Sequence, residues 1–432
     1  MADGTNESGW RPLITDDDRR AAIAKVVVEI VAAVEAWRRD HPRGFEDDAD
    51  YATLRIYTAA DDTVPDPDDQ AGSALSSAIT GIGDRNQPGL YGGAARIAFA
   101  INHLSDGEDA DTACEMIERS LIRFVGFPSD LYDLIGGLAG IAMPVLQRIV
   151  DGNPTGASEP LARDILGHLE RLARPMPKGI AWYTPPALLP AWQREIAPDG
   201  YFNLGLAHGI PGVVAILARY ITAGVEVERA RTLLDGAVAY LRASAGPRFG
   251  NRYPAWLATQ RQESMSRVAW CYGDLGVAVA VMTAAIATGR DDWRAQALDL
   301  AHGMAARPFE LSQIVDTGLC HGASGVAHLF NRLYQATGDA ELGRAADTWY
   351  GHTLAMRSSE PIAGFPRGLP VNQTMTWDAG ADLLTGVCGV GLALHAAISS
   401  IEPAWDRLLF ADLAPASALA SAPASAPASA PG

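Results

Sequence analysis

The sequence predicts an all-α fold in which helical hairpins repeat around a ring, an α/α toroid. First, Gly-x-x-Gly followed by an apolar run recurs at Gly89–Gly92, Gly137–Gly140, Gly209–Gly212, Gly273–Gly276, Gly322–Gly325 and Gly386–Gly389. The start-to-start intervals of 48, 72, 64, 49 and 64 residues each hold two helices and their connections. Second, runs such as Val213 to Leu217 and Val277 to Met282 are apolar on nearly all sides, as buried inner helices are, while the segments between such runs are amphipathic. Periodicity alone allows both an open solenoid and a closed ring. Closure is favoured by a third observation: Cys271, Cys320, His321 and His208 stand at the starts of separate apolar segments and meet only if the array curves round.

In chain order, residues 16–39 place Ile23, Val26, Val27, Ile30, Val31, Val34 and Trp37 at spacings of three and four, which predicts an outer helix. The acidic, Pro-containing stretch from Arg43 to about Asn86 reads either as an ordered segment over the rim or as a mobile loop. The repeats then follow, each glycine pair opening an inner helix. The interval from 151 to 207 includes the irregular Trp182-Tyr183-Thr184-Pro185-Pro186, so a small insertion is expected there. Residues 1–413 are expected to form one toroidal domain. Residues 414–432 repeat Ala-Pro-Ala-Ser units with nothing to bury, which predicts a disordered tail.

Of 432 residues, 34 are Lys or Arg and 51 are Asp or Glu, and the net charge of −17 argues against nucleic acid as a partner. The N-terminus lacks a basic region followed by an apolar core, and the longest strongly apolar run, Val277 to Thr288, is 12 residues, too short to span a bilayer. Four cysteines, at least two of them wanted as thiolates, fit a reducing cytoplasm. Cys114 and Cys388 read as structural, and His302, His328, His352 and His395 lack liganding companions.

The chemistry-bearing motifs are Ala207-His208-Gly209-Ile210-Pro211-Gly212, Trp270-Cys271-Tyr272-Gly273-Asp274-Leu275-Gly276 and Leu319-Cys320-His321-Gly322-Ala323-Ser324-Gly325. Zinc takes thiolate sulfur and imidazole nitrogen, and a catalytic site uses three protein ligands with one open position. Cys271, Cys320 and His321 supply such a set. The 49-residue separation of the cysteines matches no zinc-finger spacing, and free cysteines are commonly buried apolar fillers, so the residues by themselves leave both readings open. The positive ends of helices would favour thiolate at these places.

Asn203 to Gly212, Arg267 to Asp274 and Gly318 to Gly325, with Tyr132-Asp133-Leu134-Ile135-Gly136-Gly137-Leu138 upstream and Pro403 to Leu409 at the end, resemble the signature blocks of the lanthionine synthetase C-like cyclases over roughly residues 80–413. The resemblance implies a toroid with a central Zn2+ held by Cys271, Cys320 and His321. It also implies closure of thioether rings by addition of a peptide cysteine to dehydroalanine or dehydrobutyrine. In such a site His208 would be the general base or acid, Asp133 would orient its imidazole, Arg267 would stabilise the developing enolate, and Tyr272 would position a proton or line the pocket. Blander readings stay open: His208 or Asp133 as helix caps, Arg267 paired to an acidic neighbour. The implied partners are a dehydrated lanthipeptide precursor and a separate dehydratase. The implied location is the cytoplasm, including peripheral attachment to a membrane-bound complex with an export transporter. The alternative is a non-catalytic relative that binds glutathione or acts as a scaffold; a toroidal glycosidase would need an opposed carboxylate pair, for which no candidate is evident. The chain departs from the pattern in its first repeat, Pro88-Gly89-Leu90-Tyr91-Gly92-Gly93-Ala94, which lacks the histidine often seen there, and at Leu275, where proline is common.

Overall fold

The computed structural model describes residues 9–416 apart from 43, 83–86, 127–128, 247–250, 259–265, 360–361 and 372–373. The tail expected from 414 onward therefore falls almost wholly outside the described residues. In chain order the helices are α1 (Asp17–Asp40), α2 (Phe45–Ala59), α3 (Gln70–Gly81), α4 (Ala94–Leu104), α5 (Glu108–Val125), α6 (Leu138–Val150), α7 (Ser158–Leu172), α8 (Ala191–Ile196), α9 (Ile210–Thr222), α10 (Val227–Ser244), α11 (Asp274–Thr288), α12 (Asp291–Ala305), α13 (Ala323–Thr337), α14 (Ala340–Ala355) and α15 (Val387–Ile398). Among the described residues three antiparallel strand pairs accompany them: β1 (Ala173–Met176) with β2 (Gly179–Trp182), β3 (Phe202–Asn203) with β4 (Trp256–Leu257), and β5 (Arg367–Val371) with β6 (Thr374–Asp378). No helix among the described residues is long and apolar enough to cross a membrane.

The helices form two concentric layers. Helices α2, α4, α6, α9, α11, α13 and α15 pack each against the next, and α15 returns to α2, so the inner layer is closed. Each inner helix carries an outer one: α3, α5, α7, α10, α12 and α14 on the first six, and α1 on α15. The expected toroid is thus formed, with the outer helix from the chain's start completing the last inner helix. Their junction is fixed by polar and apolar contacts together: α1 buries Ile23, Val27, Ile30, Val31 and Val34. Ahead of it, Leu13 N and Ile14 N donate to Ala397 O at 3.0 Å, and the buried Trp10 Nε1 donates to Ala396 O at 3.3 Å.

Inner helices start on one rim. The loops leading into them are hydrogen-bonded sideways, Tyr91 N to Ile135 O (3.0 Å), Leu134 N to Ala207 O (3.1 Å), Cys271 N to Cys320 O (3.2 Å) and Cys320 N to Leu384 O (2.8 Å). Glycine makes this crowding feasible. A Cβ on Gly325 would fall inside the carbonyl oxygen of Leu319, which folds back over the first turn of α13, and Gly273 holds φ at +117° at the start of α11. On the opposite rim the connections are short, two residues from α11 to α12 and two from α13 to α14. On the loop-rich rim they reach 37 residues before α9 and 31 before α15. Such asymmetry puts the variable, side-chain-bearing chain on one face.

Two sequence expectations need correction. The first glycine repeat is out of register: α4 is capped by Gly93, not by Gly89, and the residue three beyond the cap is Arg96 where the later repeats have glycine. The acidic stretch from Arg43 is neither a rim cover nor a loop for most of its length; it forms α2 and α3, one full inner–outer pair. Helix α2 escapes the pattern because it buries Asp48, Asp50, Thr53, Arg55 and Thr58 in place of an apolar run. Asp50 uses one carboxylate oxygen to pair with the buried Arg96 of α4 and the other to accept from Leu383 N, 2.7 Å, in the loop before α15. Burial pushes the Asp50 carboxyl up to about 7 although Arg96 draws it down.

The hole of the ring is filled from below by the C-terminal segment. A 3₁₀ turn, Ala404–Leu409, buries Trp405, Asp406, Leu408 and Leu409. Asp406 accepts from Arg332 Nε (2.6 Å), Arg332 Nη2 (2.9 Å) and His328 Nε2 (2.7 Å), all fully buried on α13. Leu409 O takes Trp270 Nε1 at 2.7 Å and Leu408 O takes the Tyr91 hydroxyl at 3.0 Å, so the plug is tied to the rim above it.

Removing the Asp50 side chain leaves Arg96 charged and buried without its partner. Asp50→Ala should lower the unfolding free energy by about 3–5 kcal/mol in urea titration, and Arg96→Met in that background should recover part of the loss. An unchanged midpoint in the single variant would show that α2 closes the ring by other means.

Candidate metal centre and acid–base pair

Each residue proposed from sequence sits in a rim loop just ahead of an inner helix. Cys271 and Cys320 stand two residues before the capping glycines of α11 and α13, in equivalent positions of adjacent repeats, and His321 follows at the next residue. Their ligand atoms lie within 4.8 Å of one another, a group able to hold a metal ion. The sideways bond from Cys271 N to Cys320 O locks the two loops together and so fixes the separation of the side chains. Interaction with the Cys320 thiol pulls Cys271 well down against burial, helped by His321 and Arg267, while the same interaction and burial push Cys320 up. Burial draws the His321 imidazole down, but Cys271 and Asp316 hold it above its ordinary value. Two sulfurs beside an imidazole form a half-buried donor set that suits a borderline-soft dication such as zinc.

Across the same cavity, His208 Nδ1 meets Asp133 Oδ2 at 2.6 Å. The other carboxylate oxygen of Asp133 accepts from Gly136 N at 3.0 Å, so the acid is held in the turn that caps α6 and presents one face to the imidazole. His208 precedes Gly209, the cap of α9, and its side chain keeps 44% of its exposure. Partial burial lowers its pKa, but the hydrogen bond and charge of Asp133, with a contribution from Cys271, raise it above the ordinary 6.5 overall. Neither residue is itself a helix cap.

Tyr272 lies between the two groups. Its ring stacks 6.4 Å from that of His208, its hydroxyl accepts from Asn203 Nδ2 at 3.2 Å, and burial pushes the phenol upward, so it stays protonated at neutral pH. Arg267 lines the cavity on the thiol side, where its charge favours both thiolates, and no ion pair to a carboxylate is formed by it among the described residues. All seven sequence-proposed residues thus line one cavity of about 820 Å³.

Asp316 stands outside the sequence motifs yet belongs to the site. Its carboxylate is buried, with Oδ2 accepting from Gly368 N of β5 at 3.2 Å and standing 3.7 Å from His321 Nε2, and Oδ1 unpartnered. A carboxylate behind an imidazole is the usual support of a metal-binding histidine. Its position four residues before Cys320 was the available signal. The residues set aside stay apart: Cys114 and Cys388 are buried, with Cys114 pushed up to about 11 by burial, and His302, His328 and His395 face Asp339, Asp406 and Asp61 within the helical wall.

Residues 53–410 match the family described as lanthionine synthetase C-like protein. The chain is 28% identical over 269 residues to the nisin biosynthesis protein NisC of Lactococcus lactis subsp. lactis, a match that covers 56% of this chain and 62% of that protein. Its fold is similar to a solved structure of nisin cyclase, with a TM-score of 0.70 at 20% identity, covering 91% of this chain and 98% of the other.

The Asp133 bond has a readable sign. A histidine whose pKa is raised by a partner contributes stability below its unfolded pKa of about 6.5, and loses it as pH rises through the folded value. In an NMR titration the His208 ring should therefore have a midpoint above 6.5, and Asp133→Asn should move that midpoint down. An unmoved midpoint would mean that Asp133 does not set the charge of His208.

Proposed function

The chain belongs to the lanthionine synthetase C-like family, and on that premise we propose that it is a zinc-dependent lanthipeptide cyclase. The observation that carries the proposal is one cavity lined by both a Cys2His group and a histidine–carboxylate pair. The substrate would be a precursor peptide in which serine and threonine have already been dehydrated, which implies a separate dehydratase as partner. Work in the cytoplasm, free or attached to a membrane-bound complex with an exporter, belongs to the same reading.

Cys271, Cys320 and His321 would hold the zinc ion, with a fourth position left for the incoming thiol. When bound, the ion supplies Lewis acidity that keeps such a thiol ionised at neutral pH. The reaction forms one S–Cβ bond, breaks the Cα=Cβ π bond of the dehydro residue and leaves its electron pair as an enolate, which takes a proton at Cα. No atom is lost overall. His208 handles the proton: with Nδ1 engaged by Asp133, Nε2 is the position left for exchange, first accepting from the peptide thiol and then donating to Cα. A raised pKa keeps enough imidazolium at neutral pH for the second step.

Arg267 supports the developing negative charge on the enolate oxygen through charge-assisted hydrogen bonding. Tyr272, protonated and fixed by Asn203, forms the wall between thiol and imidazole and limits where the dehydro residue can lie. Asp316 keeps the His321 ring turned toward the ligand group and joins it to the β5–β6 hairpin.

The proposal is tested by incubating purified protein with a dehydrated cysteine-containing peptide and counting alkylatable thiols by mass spectrometry; each ring removes one. His208→Ala should keep stoichiometric zinc yet close rings roughly 10²-fold more slowly. Cys271→Ala and Cys320→Ala should lose the metal. Full zinc in both cysteine variants, or thiols that persist with wild-type protein, would overturn the assignment.

A further inference from the structure

Large apolar side chains left in water are concentrated on the face that holds the metal centre. Of the ten found exposed among the described residues, Leu131, Leu188, Trp192, Leu311, Val315, Met375 and Trp377 all lie in connections that lead into inner helices, the loop-rich rim. Scattered exposed hydrophobes need no explanation, but a contiguous set next to a cavity marks a binding surface. Leu131, Leu188 and Trp192, at 41%, 37% and 55% exposure, form such a set, since all three line the same cavity as Cys271 and His208.

The aromatic rings on this side make a path from the surface to the acid–base pair. Trp192 meets Trp256 edge-on at 6.5 Å, Trp256 meets Tyr272 edge-on at 6.3 Å, and Tyr272 stacks on His208 at 6.4 Å. Trp256 is also stacked on Tyr201 at 5.3 Å, and Tyr201 belongs to a small apolar cluster with Leu189 and Ala197, separate from the main core. That cluster is braced by the main-chain pair between Thr184 and Tyr201, by the Tyr201 hydroxyl on Gln193 at 2.8 Å, and by β3 pairing with β4. The path is therefore a built wall whose rings are fixed before anything binds, and a preorganised aromatic surface costs little entropy to use. Tyr201 holds the side-chain oxygen of Gln193, and among the described residues lining the cavity the charged ones besides Asp133 and Arg267 of the inner site come down to Asp130, so this wall suits an apolar guest.

We propose that this wall is a subsite for an apolar side chain of the substrate peptide, with Trp192 as its outer, specificity-determining residue. The inference rests on the cyclase reading for the identity of the guest as a peptide. Each ring-to-ring step equals about two residues of extended chain at roughly 3.3 Å per residue, so Trp192 meets a side chain within about six residues of the reacting cysteine. A peptide with leucine or phenylalanine in that window binds through this contact; one with alanine there lacks it.

The test uses two synthetic peptides carrying serine in place of the dehydro residue, so that binding is read without chemistry. One has leucine four residues to either side of its cysteine, the other has alanine at both places. Calorimetric titration of zinc-loaded, full-length protein should give about tenfold tighter binding of the leucine peptide, a ratio that falls to within twofold of unity in Trp192→Ala and survives in Trp192→Phe. Wild-type protein that does not distinguish the peptides, or a Trp192→Ala variant that keeps the ratio, would overturn the subsite. The dehydrated forms of both peptides separate this from the parent reading: ring closure without a leucine preference removes the subsite alone, and a leucine preference lost in Trp192→Ala without ring closure keeps the subsite and removes the cyclase.

Discussion

Asp50 is the residue on which the closed ring turns. Placed on α2, whose start carries no Gly-x-x-Gly, it grips Arg96 of α4 with one oxygen and the loop before α15 with the other. It therefore spans the two neighbours of α2 and closes a circle that apolar packing completes elsewhere. A carboxylate so buried costs several kcal/mol to desolvate, and the guanidinium and the backbone N–H offset that cost. Such a bond adds geometric definition where the repeat pattern offers least. Without closure, the loops bearing Cys320 and Leu384 lose their fixed relation to those bearing Tyr91 and Ile135.

Closure also explains why the chemistry stands where it does. Among the described residues seven inner helices start on one rim, and the loops entering α4, α6, α9, α11, α13 and α15 are joined edge to edge through main-chain hydrogen bonds while the C-terminal plug supports them from below. Helix starts carry partial positive charge, which favours thiolate. Neighbouring repeats offer equivalent positions, so a cysteine two residues before the cap in each of two adjacent helices suffices to bring two sulfurs together. The rim loops ahead of α6 and α9 likewise supply the Asp133–His208 pair, and the long connections between α7 and α11 supply the aromatic wall.

The six glycine repeats made the inner helices readable in the sequence, because tight loop–helix contacts such as Leu319 over Gly325 demand glycine. The seventh was hidden because α2 buries aspartate, threonine and arginine, and polar residues satisfied by partners far along the chain leave no local periodicity. The same cause displaced the first repeat, where Arg96 answers Asp50 at the place of a glycine. The metal group and the histidine pair were legible from ordered motifs. Asp316 was not, since its meaning comes from the distance between its carboxylate and His321, and neither were Trp192 and Trp256, whose edge-on contact depends on how the chain between α7 and α9 meets the chain between α10 and α11.

The proposed mononuclear zinc centre, built by ring closure and open to a substrate thiol, is tested most directly by X-ray absorption at the zinc edge of metal-loaded protein before and after addition of a cysteine peptide. Two sulfur neighbours at about 2.3 Å and lighter nitrogen or oxygen neighbours at about 2.0–2.1 Å are expected in the free protein, with a third sulfur on adding peptide. Four sulfurs in the free protein, or a sulfur count unchanged by saturating peptide, would contradict it.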